Sequence, residues 1–337
     1  MDALSELLRV IRLTGTAFID AELTAPWAIQ TPPPSVLAAR LAPGARKIIP
    51  YHLVSEGGCF IEVKGQPPIQ VEAPEVVLFP HGDVHVLSSA PGLEPLQITT
   101  EAVIRLTRPD SIARARYGGN GTKTRLICGF FACEELLSGQ LIQRLPHVMR
   151  CKLAADSSAT LLLRSLAPTK GGASPGSGAV MGKLAELLFV DAVRLFVEDK
   201  SNDDGWLAGL RDRYASQAIA LIYAKPDAPW TLGSLAKAVG LSRTALAEHF
   251  ARCTGVPPMQ FLAQWRLRLA AEALRHTDRP IKNVAENAGF SSTAAFTRAF
   301  GREFGASPAS WRGKAGRGGA GRPATRRLNP EKPSLAS

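Results

Sequence analysis

Residues 232–250, LGSLAKAVGLSRTALAEHF, recur in altered form at 280–300 as PIKNVAENAGFSSTAAFTRAF. Ala236 aligns with Ala285 and Gly240 with Gly289, each 49 positions apart, and Phe250 with Phe300 at 50, the second copy carrying one extra residue after its turn. Repetition at a fixed spacing marks a duplicated supersecondary unit. Two steeply crossing helices need a small residue where they touch and a glycine at the sharp turn between them, which Ala236 with Gly240 and Ala285 with Gly289 supply. Ser242 in the first copy, and Ser291 or Ser292 in the second, stand where an N-cap opens the second helix. Leu235, Val239, Leu241, Leu246 and Phe250 are the expected core of the first unit; Val284, Phe290, Phe296, Phe300 and Phe304 are that of the second.

Between the copies runs PPMQFLAQWRLRLAAEALRH, residues 257–276. Its prolines suit a first helical turn, and its length predicts a rod of about 30 Å. A rod of that length holds two second helices in place to enter successive major grooves, about 34 Å apart on one face of DNA. The charge distribution agrees. The net charge is +11, yet residues 1–225 hold 23 basic against 22 acidic side chains, residues 226–313 hold 11 against 6, and residues 314–337 hold 6 against 1. A basic C-terminal third beside a neutral body suits a polyanionic partner.

From about residue 15 to 135 the pattern is different: short β-type runs such as KIIPYHLV, CFIEVKG, VVLFPHGDVHVLS and TRLICGFFAC alternate with Pro- and Gly-rich turns, which predicts an antiparallel sandwich or barrel. Leu184, Leu187, Leu188, Leu195 and Phe196 then follow helical spacing, behind a connector-like APTKGGASPGSGAVMG (167–182). The last segment, 313–337, has almost no core-forming residues and is expected to be a disordered basic tail. Five dispersed cysteines without CxxC pairing suit a reducing cytoplasm, and no apolar run is long enough to span a membrane.

Residues 213–312 resemble the DNA-binding domain of the AraC family of bacterial transcription regulators. The second half carries the specific match: Ala285, Gly289, Phe290, Phe296, Arg298, Phe300, Phe304, Gly305, Pro308 and Trp311-Arg312. The resemblance implies contact with double-stranded promoter or operator DNA through Ser242, Arg243, Thr244, Ala247 and Glu248 in the first unit, and through Ser292, Thr293, Ala294, Thr297 and Arg298 in the second. Glu248 stands where the family commonly has a basic residue, and Gly301 where it often has Lys or Arg; both departures remove positive charge. Arg298 is the foremost base reader, because a forked guanidinium can take guanine O6 and N7 together.

The first domain carries Gly44-x5-Pro50-x-His52-x3-Glu56 and then Pro80-x-Gly82-x2-His85, which resemble the two motifs of the cupin barrel, with Pro50 in place of the first metal-binding histidine. His52 and Glu56 would share one face of a continuous strand, and His85 could join them from a neighbouring strand. They are candidate effector-binding residues. As metal ligands they set a metal-dependent cupin enzyme fused to a DNA-binding module against the favoured reading, a regulator with no resident metal or cofactor. Cys128 and Cys133 could support redox sensing, although isolated cysteines are more often small buried hydrophobes. The fold expected is an α+β multidomain chain: a cupin-like β-barrel sensor at 1–145, a helical linker and dimerisation region at 146–212, an all-α domain with two helix-turn-helix units at 213–312, and the tail. The resemblance also implies a small-molecule effector, a homodimer formed through Leu184, Leu188 and Leu195 unless these cover the barrel, and contact with RNA polymerase.

Overall fold

In the computed structural model, which describes residues 2–10, 13–42, 47–106, 113–133, 139, 141–154, 177–199 and 205–318, two sheets face each other. The first has strand order β11 (Met149–Lys152), β6 (Glu75–Leu78), β3 (Lys47–Glu56), β10 (Lys123–Cys133), β1 (Leu13–Thr24), β9 (Ala113–Gly118). The second runs β5 (Ile69–Glu72), β4 (Gly58–Val63), β7 (His85–Ser88), β2 (Ala28–Gln30), β8 (Leu96–Gln97). Among the described residues no ladder joins the two, so the barrel takes the form of an open two-sheet sandwich.

Side-chain alternation explains which faces are covered. In β4, Cys59, Ile61 and Val63 point inward and their neighbours outward, the half-buried pattern of a sheet with one wet face. In β3 seven successive residues are buried, because both faces are covered. Val54, with Ala21, Leu23, Trp27, Ile61, Val77, Leu87 and Leu126, fills the space between the sheets. Ile49, Tyr51 and Leu53 point the other way, into a second core roofed by α1 (Ala3–Val10) and α4 (Ser177–Glu198). Phe189 of α4 meets Phe131 edge to face at 5.4 Å. Two further helices, α2 (Pro34–Leu41) and α3 (Thr100–Leu106), close one end of the sandwich around Ile48 and Phe130.

Several sequence expectations shift here. Strand β11 lies beyond residue 145 yet pairs with β6, so the sheet reaches past that boundary. Helix α4 takes in the last six residues of the supposed connector; residues 167–176 lie outside the described residues. Leu188 is fully buried against the sheet and Leu184 and Leu195 pack at its margin, so this stripe covers the sandwich, while Leu187 and Val180 remain exposed.

The C-terminal helices are α5 (Gly205–Arg211), α6 (Arg213–Ala224), α7 (Leu232–Val239), α8 (Arg243–Thr254), α9 (Pro258–His276), α10 (Ile281–Asn287), α11 (Thr293–Phe304) and α12 (Pro308–Gly318). Helix α12 takes in residues 313–318 of the predicted tail; the rest of that segment lies outside the described residues. The helical region has two cores. Leu235, Ala236, Val239, Leu246 and Phe250 of the first unit belong to the same continuous core as the outer face of the first sheet, reached through α6 and α1. The second unit has a core of its own, built on Val284, Ala285, Phe296 and Phe300.

Candidate nucleic-acid interface

In the first unit Thr231 and Ser234 form a capping box at the start of α7, and Gly240 ends it at φ +77°, a left-handed conformation in which glycine carries no steric penalty. Two residues later the Ser242 side chain accepts the Ala245 N–H at 3.2 Å and opens α8. Leu246 and Phe250 anchor one face of α8, which leaves Ser242, Arg243, Thr244 and Glu248 exposed and Ala247 at the margin.

The second unit repeats this construction. Gly289 turns at φ +76°, and the cap is Ser292, not Ser291, its side chain accepting the Ala295 N–H at 3.1 Å. Phe296 and Phe300 are buried; Ser292, Thr293, Ala294 and Arg298 are exposed; the Thr297 hydroxyl donates back to the Thr293 carbonyl at 2.8 Å. Position by position, residues 242–250 and 292–300 have the same order of exposed, intermediate and buried side chains. The ten candidate residues therefore lie on equivalent faces of α8 and α11. Among the described residues neither Glu248 nor Arg298 has an ion-pair partner. Gly301 has open space where a Cβ would stand, so the missing basic side chain there is not a packing requirement. Between the units α9 runs 19 residues, about 28 Å at the helical rise.

The cupin-like interior is arranged differently from the sequence expectation. His52 of β3 and His85 of β7 do meet across the sandwich, Nε2 to Nε2 at 2.7 Å, both buried. His85 Nδ1 donates to the Asp83 carbonyl at 2.8 Å, which leaves its Nε2 to accept from His52. Phe79 stacks on the His85 ring with centroids 3.6 Å apart. Burial holds the His52 pKa well below the usual histidine range and that of His85 down to about 4, so the pair is neutral.

Glu56 is not with them. A β-bulge between its pairing with Arg125 and that of Val54 with Leu126 makes Ser55 the extra residue, which inverts the alternation and turns Glu56 to the opposite face. There it is exposed and pairs with Lys123 at 3.4 Å. The residues present do not fit a cupin metal: Pro50 has no ligand atom, Glu56 points away, and among the described residues no third metal-ligating side chain converges on the two histidines. A catalytic zinc site uses three protein ligands. Cys128 and Cys133, five residues apart on β10, point to opposite faces, Cys128 beside the inter-sheet core and Cys133 in the outer one. Burial pushes the Cys128 thiol up to about 12, away from the thiolate character a redox sensor needs.

Comparison with known proteins agrees with both halves. Residues 2–198 match the Cupin family and residues 235–314 the helix-turn-helix domain. The chain is 28% identical over 290 residues to a Streptomyces lividans protein described as an AraC-like transcription regulator, covering 82% of this chain and 93% of that one. It is 26% identical over 318 residues to the HTH-type transcriptional regulator AlkR of Acinetobacter baylyi, covering 93% and 99%. It is also 37% identical over 86 residues to the regulatory protein SoxS of Salmonella typhimurium, covering 26% and 80%. The chain belongs to the AraC family of transcription regulators, with an N-terminal cupin domain. It is a DNA-binding regulator.

One residue of this AraC-family chain that ties the interface together carries no sequence signal. Arg266, midway along α9, donates from Nε to the Pro226 carbonyl at 2.6 Å and from Nη2 to the Ala228 carbonyl at 2.7 Å. Its guanidinium also lies against Gly289, where a Cβ would come within 2.6 Å of Nη1. A single side chain thus clips the loop ahead of the first unit to the turn of the second. Its partners are about 40 residues distant, beyond the reach of any local pattern.

Proposed function

We propose that this regulator reads a bipartite operator with Ser242, Arg243, Thr244, Ala247 and Glu248 in one major groove and Ser292, Thr293, Ala294, Thr297 and Arg298 in the next, and that an effector bound by the cupin domain changes its affinity for that site. The observation that carries the reading is the matched exposure of residues 242–250 and 292–300 on two helices held apart by α9. The shared core supports the coupling: the outer face of the sheet that contains His52's strand shares its core with the first unit alone, so a change inside the sandwich reaches α8 before α11. Coupling of this kind requires an effector that binds two arrangements unequally.

The chain acts in the cytoplasm as a homodimer, with α4's exposed Leu187 and Val180 available at its outer face, and works on promoters beside RNA polymerase. The named relatives are transcriptional regulators, which favours a sensing role for the cupin domain over an enzymatic one. No helix among the described residues is long and apolar enough to cross a membrane. The test is footprinting on genomic fragments, with and without a metabolite extract. Protection of two blocks one helical turn apart that moves with extract supports both halves of the reading; protection without sequence preference overturns it.

A further inference from the structure

Three metal-ligating side chains converge on the inner side of the first reading helix, away from the face that carries Arg243 and Glu248. His249 and Cys253 lie four residues apart on α8 and so share one face, a turn apart. Asp212 reaches them from the corner between α5 and α6. One ligand atom from each lies within 4.8 Å of the other two, and all three residues are partly buried. His249 Nε2 is shut off from solvent and faces Asp212 Oδ1 at 2.8 Å. An imidazole nitrogen, a carboxylate oxygen and a thiol sulfur thus stand within reach of one ion, held there by α8 and the α5–α6 corner.

The surroundings hold the cluster in place. The Asp212 carboxylate caps α6, accepting the N–H groups of Tyr214 at 2.9 Å and Ala215 at 2.8 Å. The Tyr214 ring stands edge-on to His249. Gly209 of α5 packs against Cys253, where a Cβ would approach that of Cys253 to 3.0 Å and the Cys253 carbonyl oxygen to 3.3 Å.

We propose that Asp212, His249 and Cys253 form a binding site for a thiophilic divalent cation of the zinc class. Imidazole nitrogen, thiolate sulfur and carboxylate oxygen are all ordinary zinc ligands, and three of them leave a fourth position for water. Tetrahedral coordination at usual bond lengths sets ligand atoms about 3.3–3.6 Å apart, so the site needs a slight opening of the His249–Asp212 pair and a rotation of the Cys253 side chain. On binding, the Cys253 thiol loses its proton to solvent and the sulfur becomes a ligand. His249 coordinates through Nε2 and carries its ring proton on Nδ1; Arg252, whose Nη2 lies 2.5 Å from Nδ1 in the metal-free arrangement, turns outward. Occupancy bolts the DNA-reading helix α8 to the α5–α6 corner, the segment that leads back to the cupin domain.

The test uses the full chain, reduced, treated with chelator and titrated with cobalt(II) alone. One equivalent should produce a thiolate-to-cobalt charge-transfer band and the visible bands of four-coordinate cobalt, and zinc should abolish both. Cys253→Ser should remove the charge-transfer band, His249→Gln should weaken binding by at least about tenfold, and Cys151→Ser, which alters a buried thiol elsewhere, should leave the spectrum intact. Zinc should also slow backbone amide exchange across residues 243–254 of the unaltered chain, a readout that does not depend on any variant folding. A cobalt spectrum without the charge-transfer band, a band that survives Cys253→Ser, or exchange across α8 that zinc leaves unchanged would each overturn the site.

Discussion

Glu248 and Arg298 occupy one register position on two equivalent helices. Each follows its N-cap serine by six residues and precedes a buried phenylalanine by two, and each side chain is exposed. The two reading units therefore present opposite charges at the same point of an otherwise matched surface. An acid near phosphates is repelled unless a base such as cytosine offers it a donor. Glu248→Arg should accordingly raise affinity across all sequences and steepen the dependence of log K on log salt by about one unit. Titrations of cognate and scrambled DNA at several salt concentrations decide it; a loss confined to the cognate site would show that Glu248 reads a base.

Arg298→Ala should cost about 1–3 kcal/mol at the cognate operator and relax preference at one base pair, as expected of a guanidinium paired to guanine. Binding measured with a library of single-base operator variants tests this, and an unchanged profile defeats the assignment.

The two turn glycines differ in what a methyl group would meet. Gly240 and Gly289 share a left-handed φ, but the space beside Gly240 is open while Gly289 faces the Arg266 guanidinium. Gly240→Ala should cost only the backbone term, about 1 kcal/mol. Gly289→Ala should cost more, about 2–3 kcal/mol, because Arg266 must also move from its two carbonyls. Denaturant unfolding of the two variants gives the comparison; equal losses would mean that the Arg266 clip contributes nothing.

The His52–His85 pair makes stability depend on pH. Both folded-state pKa values lie below the unfolded value of about 6.5, so the unfolded chain takes up protons first as the solution is acidified. The contribution is complete above about pH 6.5 and is lost as pH falls through about 4, on the order of 3 kcal/mol for His85 alone. His85→Gln, which keeps a polar group but does not titrate, should flatten the fall in melting temperature between those limits. An equally steep fall in the variant would assign the acid sensitivity to other groups.

Oxidation offers a simple check on the cysteines. Cys128 and Cys133 point to opposite faces of β10, so mild oxidant should give no disulfide between them, and peptide mapping after oxidation should recover both free of that linkage.

The duplicated unit was legible because its determinants are local. A turn glycine, a serine cap and apolar residues at helical spacing act within a dozen positions of one another, and the second copy, by repeating them, supplied the register: Leu246 and Phe250 inward, Glu248 outward, and the same at Phe296, Phe300 and Arg298. The strands were legible in the same way; His52 and His85 do meet, but across the two facing sheets and not from neighbouring strands. Tertiary structure alone decided the rest. One extra residue at Ser55, set by pairing with a strand 70 positions away, turned Glu56 out of the interior. The cover over Leu188 depends on which sheet face α4 meets, and Arg266 and the Asp212–His249–Cys253 cluster join elements distant in sequence. The physical reason is common to all of these: periodicity fixes which side of an element a residue takes, whereas the partner on that side is chosen by packing between elements that no local pattern encodes.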